Sequence, residues 1–271
     1  MNKPFLKIIL YRFAFNTLYK KIMMPYLRLL FGIKKIFFFG LISLLIASTI
    51  QAKPIKILIF SKTNGFRHKT ISTASAALKT LAQQNNWELT FTEDSLMFSH
   101  YKSLKPYKAV LFLYASGKVF GTDEENAFAK YIEKGGSLVT IHTGTDCEKN
   151  WDWYMNLIGA KFKGHPKQQQ ARFIVTDSTH EATNLLPKEW SHFDEIYNFA
   201  APVSSEEHVL LSADENSYTG GTMGVTHPIS WYRYYKKGRV FQTALGHTDA
   251  CYSDKDFLNH IVGGIKWALG K

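Results

Sequence analysis

Four short apolar segments alternate with helix-like segments between residues 55 and 142, and this alternation constrains the fold more than any other sequence feature. The apolar segments are IKILIFS (55–61), WELTFTE (87–93), KAVLFLYA (108–115) and SLVTIH (137–142). Between the first two, apolar residues recur at helical spacing over 70–86. Strands that alternate with helices form a parallel sheet covered on both faces. The sequence predicts an α/β domain with a doubly wound, mostly parallel sheet.

The pattern changes after residue 170, where strand-like segments follow one another without long helices between them. They are ARFIVTD (171–177), DEIYNF (194–199), HVLLSAD (208–214) and a hairpin over 229–245 that turns at Lys237-Gly238. A last amphipathic helix is predicted from Asp254 to Leu269. We expect a mixed-strand extension of the sheet, within one domain that spans residues 53–271.

The net charge of +11 comes mostly from the N-terminal segment. Eight of the 33 basic residues lie in residues 1–52, which hold no acidic residue. The rest of the chain therefore carries 25 basic against 22 acidic side chains. This balance does not favour nucleic-acid binding.

Residues 1–52 are interpreted as a signal peptide, with Met23 or Met24 as an alternative start. Lys34-Lys35 precedes the apolar run IFFFGLISLLIA, which is short for a membrane-spanning helix. Cleavage after Ala52 would release an exported protein, periplasmic or secreted, with no stable membrane insertion. An uncleaved N-terminal anchor is the alternative.

Histidines follow three of the predicted strands, at the sheet edge where ligands bind in open α/β folds. We expect His68, His142 and His247 to face one cleft, with nearby glycines that allow close backbone approach. Imidazole acts as a general acid, a general base or a metal ligand near neutral pH. The loop around His68 and the turn after His142 add candidate substrate-binding residues, namely Asn64, Gly65, Phe66, Arg67 and Gly144.

The second half adds four candidates. Glu195 is a candidate catalytic carboxylate alongside His142 and His247, and a solvated edge charge is its alternative. His165 and His227 each pair with a proline and are candidate substrate ligands. The side chain of Trp231 could stack on a sugar ring, although aromatic residues in strands more often pack in the hydrophobic core.

The chemistry needs no cofactor, and no nucleotide-binding or GxSxG motif occurs in the sequence. A divalent metal held by His142, His247 and a carboxylate stays open. The two cysteines, Cys147 and Cys251, allow one disulfide or two structural thiols.

A series of segments in this order resembles the trehalose-utilisation (ThuA-like) family: GFRH (65–68), IHTGTD (141–146), FKGHP (162–166), DEIY (194–197), HPISW (227–231) and GRVFQTALGH (238–247). The resemblance implies a flavodoxin-like fold related to class I glutamine amidotransferases. It also implies that His247 takes the place of the amidotransferase catalytic histidine, while His142 stands near the position of the nucleophilic cysteine. Glutaminase activity is therefore not expected.

The resemblance implies a role in carbohydrate metabolism. The first hypothesis is an exported hydrolase, lyase or isomerase that acts on a sugar or keto-sugar through histidine acid/base chemistry. The second is a non-catalytic sugar-binding module. A third, an amidase or peptidase, requires Cys147 to be a nucleophile. The expected partner is a small carbohydrate, and the oligomeric state stays open.

Overall fold

The computed structural model describes residues 53–270, together with residues 21, 23, 25 and 26 of the N-terminal segment. The predicted signal peptide and its cleavage site thus lie almost wholly outside the described residues. Pro54–Lys271 forms one unit. Among the described residues, no helix combines the length and the apolar character needed to span a membrane.

The described part of the chain contains strands and helices in the order that the sequence indicates for its first half. The strands are β1 (Ile55–Phe60), β2 (Trp87–Thr92), β3 (Ala109–Leu113), β4 (Ser137–Ile141), β5 (Phe162–Gly164), β6 (Gln169–Val175), β7 (Glu189–Asp194), β8 (Asn198–Phe199), β9 (His208–Ala213), β10 (Pro228–Tyr235) and β11 (Gly238–Thr243). The helices are α1 (Ile71–Asn85), α2 (Tyr101–Leu104), α3 (Thr122–Glu133), α4 (Asp152–Ile158) and α5 (Lys255–Leu269).

Nine of these strands form one sheet in the order β2-β1-β3-β4-β11-β10-β9-β6-β7. The pairs from β2 to β11 are parallel, and those from β11 to β7 are antiparallel. Strands β5 and β8 form a separate antiparallel pair. The doubly wound parallel sheet and its mixed extension are confirmed.

Alternate residues of β1 show that the sheet is covered on both faces. Ile57 and Ile59 pack into one core, whereas Leu58 and Phe60 pack into another. All four are buried. A strand buried on both sides reads as a continuous apolar run, which is why IKILIF predicts a central parallel strand.

The helix ends follow from local chemistry. Helix α1 stops at Asn86, whose φ of 55° is left-handed and cannot continue the helix. The side chain of Asp254 caps α5 by accepting a hydrogen bond from the backbone N–H of Asp256 at 2.8 Å. The sequence prediction of a helix beginning at Asp254 agrees with this cap.

The predicted strand over 194–199 is wrong. The strand is β7, which ends at Asp194, and residues 195–197 connect it to the two-residue strand β8. The burial of Trp190, His192 and Asp194 alternates with exposed residues along β7. Because two of the three buried residues are polar, the alternation is hidden in the sequence.

Candidate functional site

His142 follows β4 directly and has a strained backbone, with φ 68° and ψ −82°. Such a conformation costs a non-glycine residue about 1–3 kcal/mol and is typical of functional sites. The backbone N–H of His142 donates to the carbonyl of Thr243 at 2.8 Å, and its ring Nδ1 donates to the carbonyl of Ala244 at 2.8 Å. Since Nδ1 carries the proton, Nε2 of the neutral ring carries the lone pair.

His247 reaches the same point from the neighbouring strand. Gly246 has a φ of 111°, which favours glycine, and it turns the chain sharply after β11. The hydroxyl of Thr70 donates to the carbonyl of His247 at 2.7 Å. As a result, Nδ1 of His247 lies 3.1 Å from Nε2 of His142. Gly246 therefore places the His247 ring beside that of His142.

Glu195 joins the two rings. Its Oε2 lies 3.1 Å from Nδ1 of His247 and 3.5 Å from Nε2 of His142, and its Oε1 lies 3.1 Å from Nδ1 of His165. Burial disfavours the charge of Glu195, but the adjacent rings of His142 and His247 outweigh burial and hold the pKa of this carboxyl below its usual range. Glu195 is only 5% exposed, so the alternative of a solvated edge charge is wrong.

His68 completes the group. The centre of its ring lies 4.7 Å from that of His142 and 4.9 Å from that of His247. Burial, together with these two rings, lowers the pKa of His68 to about 3, so the ring is neutral at physiological pH. Its Nδ1 is buried and has no hydrogen-bond partner among the described residues. The three histidines predicted to face one cleft therefore lie close together.

The members of this cluster and its neighbours differ in exposure. The side chain of His142 is fully buried, whereas those of His247 and His165 are 18% and 40% exposed. Phe66, which is largely exposed, touches the ring of His68 edge-on with ring centres 4.7 Å apart. A ligand would therefore meet His247, His165 and Phe66 first.

Tyr197 and Asp194 contact the cluster, although neither was predicted as a site residue. The hydroxyl of Tyr197 lies 3.1 Å from Nε2 of His142 and can donate a hydrogen bond to it. The carboxylate of Asp194 accepts backbone hydrogen bonds at the His247 turn. The segment DEIY was the available signal, because it places these residues beside Glu195.

The loop residues predicted around His68 mostly hold the loop together. The side-chain amide of Asn64 donates to the carbonyl of Lys118 at 2.6 Å. Arg67 forms a bidentate salt bridge with Glu93, in which its Nη1 and Nη2 donate to Oε2 and Oε1 at 3.0 and 2.7 Å. Arg67 therefore does not join the histidine cluster. Gly65 packs closely on Gly117, where an added Cβ would lie 3.2 Å from the backbone nitrogen.

Three further predicted ligands lie in the interior. Trp231 is fully buried in the core, and its indole N–H donates to the carbonyl of Ile158 at 2.9 Å, so it does not offer a face for sugar stacking. His227 is fully buried, and its Nε2 donates to the carbonyl of Tyr197 at 2.7 Å. Gly144 is buried tightly against Thr140, where an added Cβ would clash. These contacts are structural.

Both cysteines are free and buried. Burial raises the pKa of the Cys147 thiol well above its usual value, which opposes the thiolate form that a nucleophile needs. The sulfur of Cys251 lies 3.5 Å from Nε2 of His192 and 3.6 Å from Oδ2 of Asp194. The disulfide that the sequence allowed is not formed.

These features define a flavodoxin-like α/β protein with a histidine–glutamate site at the carboxyl edge of its parallel sheet. The sequence profile of the ThuA family, described as trehalose utilisation, matches residues 56–268. The chain belongs to the ThuA family, which relates to carbohydrate utilisation. A comparison with curated protein sequences finds no match.

Solved structures support the fold. A ThuA-like protein from Bacteroides uniformis is 23% identical, with a TM-score of 0.70 over 82% of this chain and 94% of that chain. A ThuA-like protein from Parabacteroides merdae is 22% identical, with a TM-score of 0.68 over 81% of this chain and 91% of that chain. A cytoplasmic protein from Salmonella typhimurium is 9% identical, with a TM-score of 0.56 over 79% of this chain and 99% of that chain.

Proposed function

We propose that the protein is an exported enzyme that acts on a sugar or keto-sugar through acid/base chemistry at the cluster of His142, Glu195 and His247. The supporting observation is the convergence of Nε2 of His142, Nδ1 of His247 and Oε2 of Glu195, separated by 3.1–3.5 Å. Burying titratable groups side by side costs folding free energy, and such groups concentrate at functional sites.

The cluster has the groups that proton transfer next to a carbonyl requires. A base removes a proton from the carbon beside the keto group, and the electron pair moves onto the carbonyl oxygen to form an enolate. When the deprotonated carbon bears a hydroxyl group, transfer of the hydroxyl proton to the enolate oxygen and return of the abstracted proton to the former carbonyl carbon move the carbonyl and give isomerisation. Departure of a group from the next carbon with its bonding electron pair gives elimination instead. A cation or a hydrogen-bond donor must stabilise the enolate oxygen.

His165 and His247 are the two rings that a substrate can reach. Nδ1 of each lies 3.1 Å from Glu195, which holds the ring in place when Nδ1 carries the proton. Nε2 of each ring has no hydrogen-bond partner among the described residues and is free to exchange protons with a substrate.

Acyl transfer of the amidotransferase kind has no support at this site. His142 stands at the strained turn where a nucleophile would be needed, and the thiol of Cys147 is buried with a raised pKa. The proposed partner is a small carbohydrate and not a nucleic acid.

The test is a substrate screen with purified protein, using oxidised disaccharides first and then the parent sugars. Glu195→Gln keeps the size of the side chain and removes its charge, so turnover should fall at least about 100-fold. His100→Gln, which changes an exposed histidine elsewhere, should leave turnover unchanged. Saturable sugar binding without turnover by the unaltered protein would favour the non-catalytic binding module.

Export has its own test, the N-terminal sequence of the protein isolated from its native host. We expect the chain to begin near Lys53, outside the cytoplasm. Protein that retains residues 34–52 would contradict cleavage after Ala52.

A further inference from the structure

Three atoms of the cluster form an almost equilateral triangle. Nε2 of His142 and Nδ1 of His247 are 3.1 Å apart, Nδ1 of His247 and Oε2 of Glu195 are 3.1 Å apart, and the third side is 3.5 Å. Nitrogen and oxygen ligands that surround Zn²⁺ tetrahedrally at ordinary bond lengths lie about 3.3–3.5 Å from one another. Two sides are slightly shorter than this range and the third lies within it, so the triangle is close in size to one face of a metal coordination sphere.

The lone pair of the neutral His142 ring lies at Nε2, one corner of this triangle. Nδ1 of His142 donates to the carbonyl of Ala244, which leaves Nε2 as an acceptor. Oε2 of Glu195 is also an acceptor, so when Nε2 of His142 carries no proton the two acceptors, 3.5 Å apart, repel each other unless a cation lies between them. Fixing a ring through its far N–H is how proteins orient histidine ligands toward metals.

His68 offers a fourth candidate ligand atom. One of its ring nitrogens lies within 4.8 Å of the ligand atoms of His142, Glu195 and His247. The residue is only 6% exposed, and its Nδ1 has no hydrogen-bond partner among the described residues. A buried polar atom without a partner is costly, and an ion bound through Nδ1 would satisfy it.

We infer that a divalent first-row transition metal ion, of which Zn²⁺ is the type, binds between His142, Glu195, His247 and His68. Three imidazoles and one carboxylate suit such an ion, whereas Ca²⁺ and Mg²⁺ prefer six or more oxygen ligands. Binding displaces the Tyr197 hydroxyl from Nε2 of His142.

This inference deepens the proposed function and rests on it for the use of the ion, although not for its binding. A bound ion would polarise the carbonyl oxygen of a keto-sugar and stabilise the enolate. His165, held by Oε1 of Glu195 and more exposed than the four ligands, is then the ring left free to carry the proton.

A second group of possible metal ligands, His192, Asp194 and Cys251, does not support a metal site in the same way. Nδ1 of His192 lies 2.8 Å from Oδ2 of Asp254, and the carboxylate of Asp194 accepts three backbone hydrogen bonds. The atoms of this group are thus already partnered, and Cys251→Ser serves as a control for it.

The experiment measures metal on the full chain directly. Protein stripped with a chelator is titrated with Zn²⁺ by calorimetry, and the bound metal is counted by mass spectrometry after dialysis. We expect one ion per chain and a higher melting temperature on binding. Glu195→Gln and His142→Gln should lower the affinity at least about 100-fold, whereas His100→Gln and Cys251→Ser should not change it.

Several results would overturn the inference. They are no retained ion, the same affinity in Glu195→Gln as in the unaltered protein, or an affinity that falls in Cys251→Ser instead. Melting curves of each metal-free variant separate lost binding from lost folding. Metal binding without turnover of any sugar would refute the proposed function alone, whereas turnover by protein proven metal-free would refute the ion's part in the reaction.

Discussion

The carboxylate of Asp194 holds His247 in place through the backbone. Oδ1 accepts a hydrogen bond from the N–H of His247 at 2.9 Å, and Oδ2 accepts one from the N–H of Gly246 at 2.6 Å. Asp194 is fully buried. Burial disfavours its charge, but the hydrogen bond with His192, the electrostatic effect of His142 and His192, and the hydrogen bond from the Gly246 backbone outweigh burial and keep the pKa of Asp194 below its usual value. A buried charge at the end of β7 thus fixes the turn that carries His247.

Asp194→Asn should therefore reduce both stability and turnover. The substitution removes a charged acceptor and turns an amide N–H₂ toward a backbone donor, which costs about 2–4 kcal/mol of the free energy of unfolding. Urea unfolding measures this loss. Asp123→Asn, at an exposed position in the first turn of α3, should cost less than about 1 kcal/mol. An equal effect of the two substitutions would contradict the role given to Asp194.

Because of His192, the free energy of unfolding should fall as the pH rises into the alkaline range. Burial opposes its charge, but Asp194 and Cys251 outweigh burial and raise the pKa of His192 to about 10. Because the unfolded pKa is about 6.5, the folded state binds the extra proton between these values. The stabilisation is complete below pH 6.5 and is lost as the pH rises through 10.

Urea unfolding at intervals from pH 6 to 10 tests this dependence. The unaltered protein should lose a few kcal/mol of unfolding free energy over this range, and His192→Gln should lose distinctly less. Parallel curves for the two proteins would show that His192 does not carry the dependence.

Gly144 was predicted to bind substrate, and its packing gives it a different role. An added Cβ would clash with the side chain of Thr140, so Gly144→Ala should destabilise the fold by about 1–3 kcal/mol. Gly164→Ala is the matched control, since an added Cβ there meets no atom within 4 Å. Thermal unfolding compares the two variants. Unchanged stability with weaker sugar binding in Gly144→Ala would restore the substrate-binding prediction.

Cys147→Ser should keep turnover intact. The thiol is fully buried, and its raised pKa keeps it protonated, so it is not a nucleophile at neutral pH. Iodoacetamide should leave Cys147 unmodified in the folded protein, as mass spectrometry would show. Rapid alkylation together with loss of activity in the serine variant would reopen the amidase alternative.

The parallel half of the fold was predictable because its strands are buried on both faces and read as apolar runs. The convergence of His68, His142 and His247 was predictable for a related reason, since parallel strands bring their carboxyl ends to one edge. Strand β7 was not predictable from the sequence. His192 and Asp194 are buried because they pair with each other, whereas polar residues in a sequence usually indicate exposed positions.

Two predicted substrate ligands have structural partners that are distant in sequence. Arg67 pairs with Glu93 after β2, which no local pattern around Arg67 indicates. Trp231 lies on β10, which is covered on both faces, so its ring is core and not a surface for a sugar. Tyr197 was not chosen because a tyrosine in an apolar segment reads as packing.

The most direct test of the reactive cluster is a double-mutant cycle on turnover with His142→Gln and His247→Gln. Each substitution alone should lower turnover by roughly 10²–10⁴-fold while the protein stays folded, since each removes a group from one reacting unit. Together they should lose much less than the product of the two effects, because residues that act as a unit are non-additive. Full activity of both single variants on every sugar that the unaltered protein converts would contradict the account.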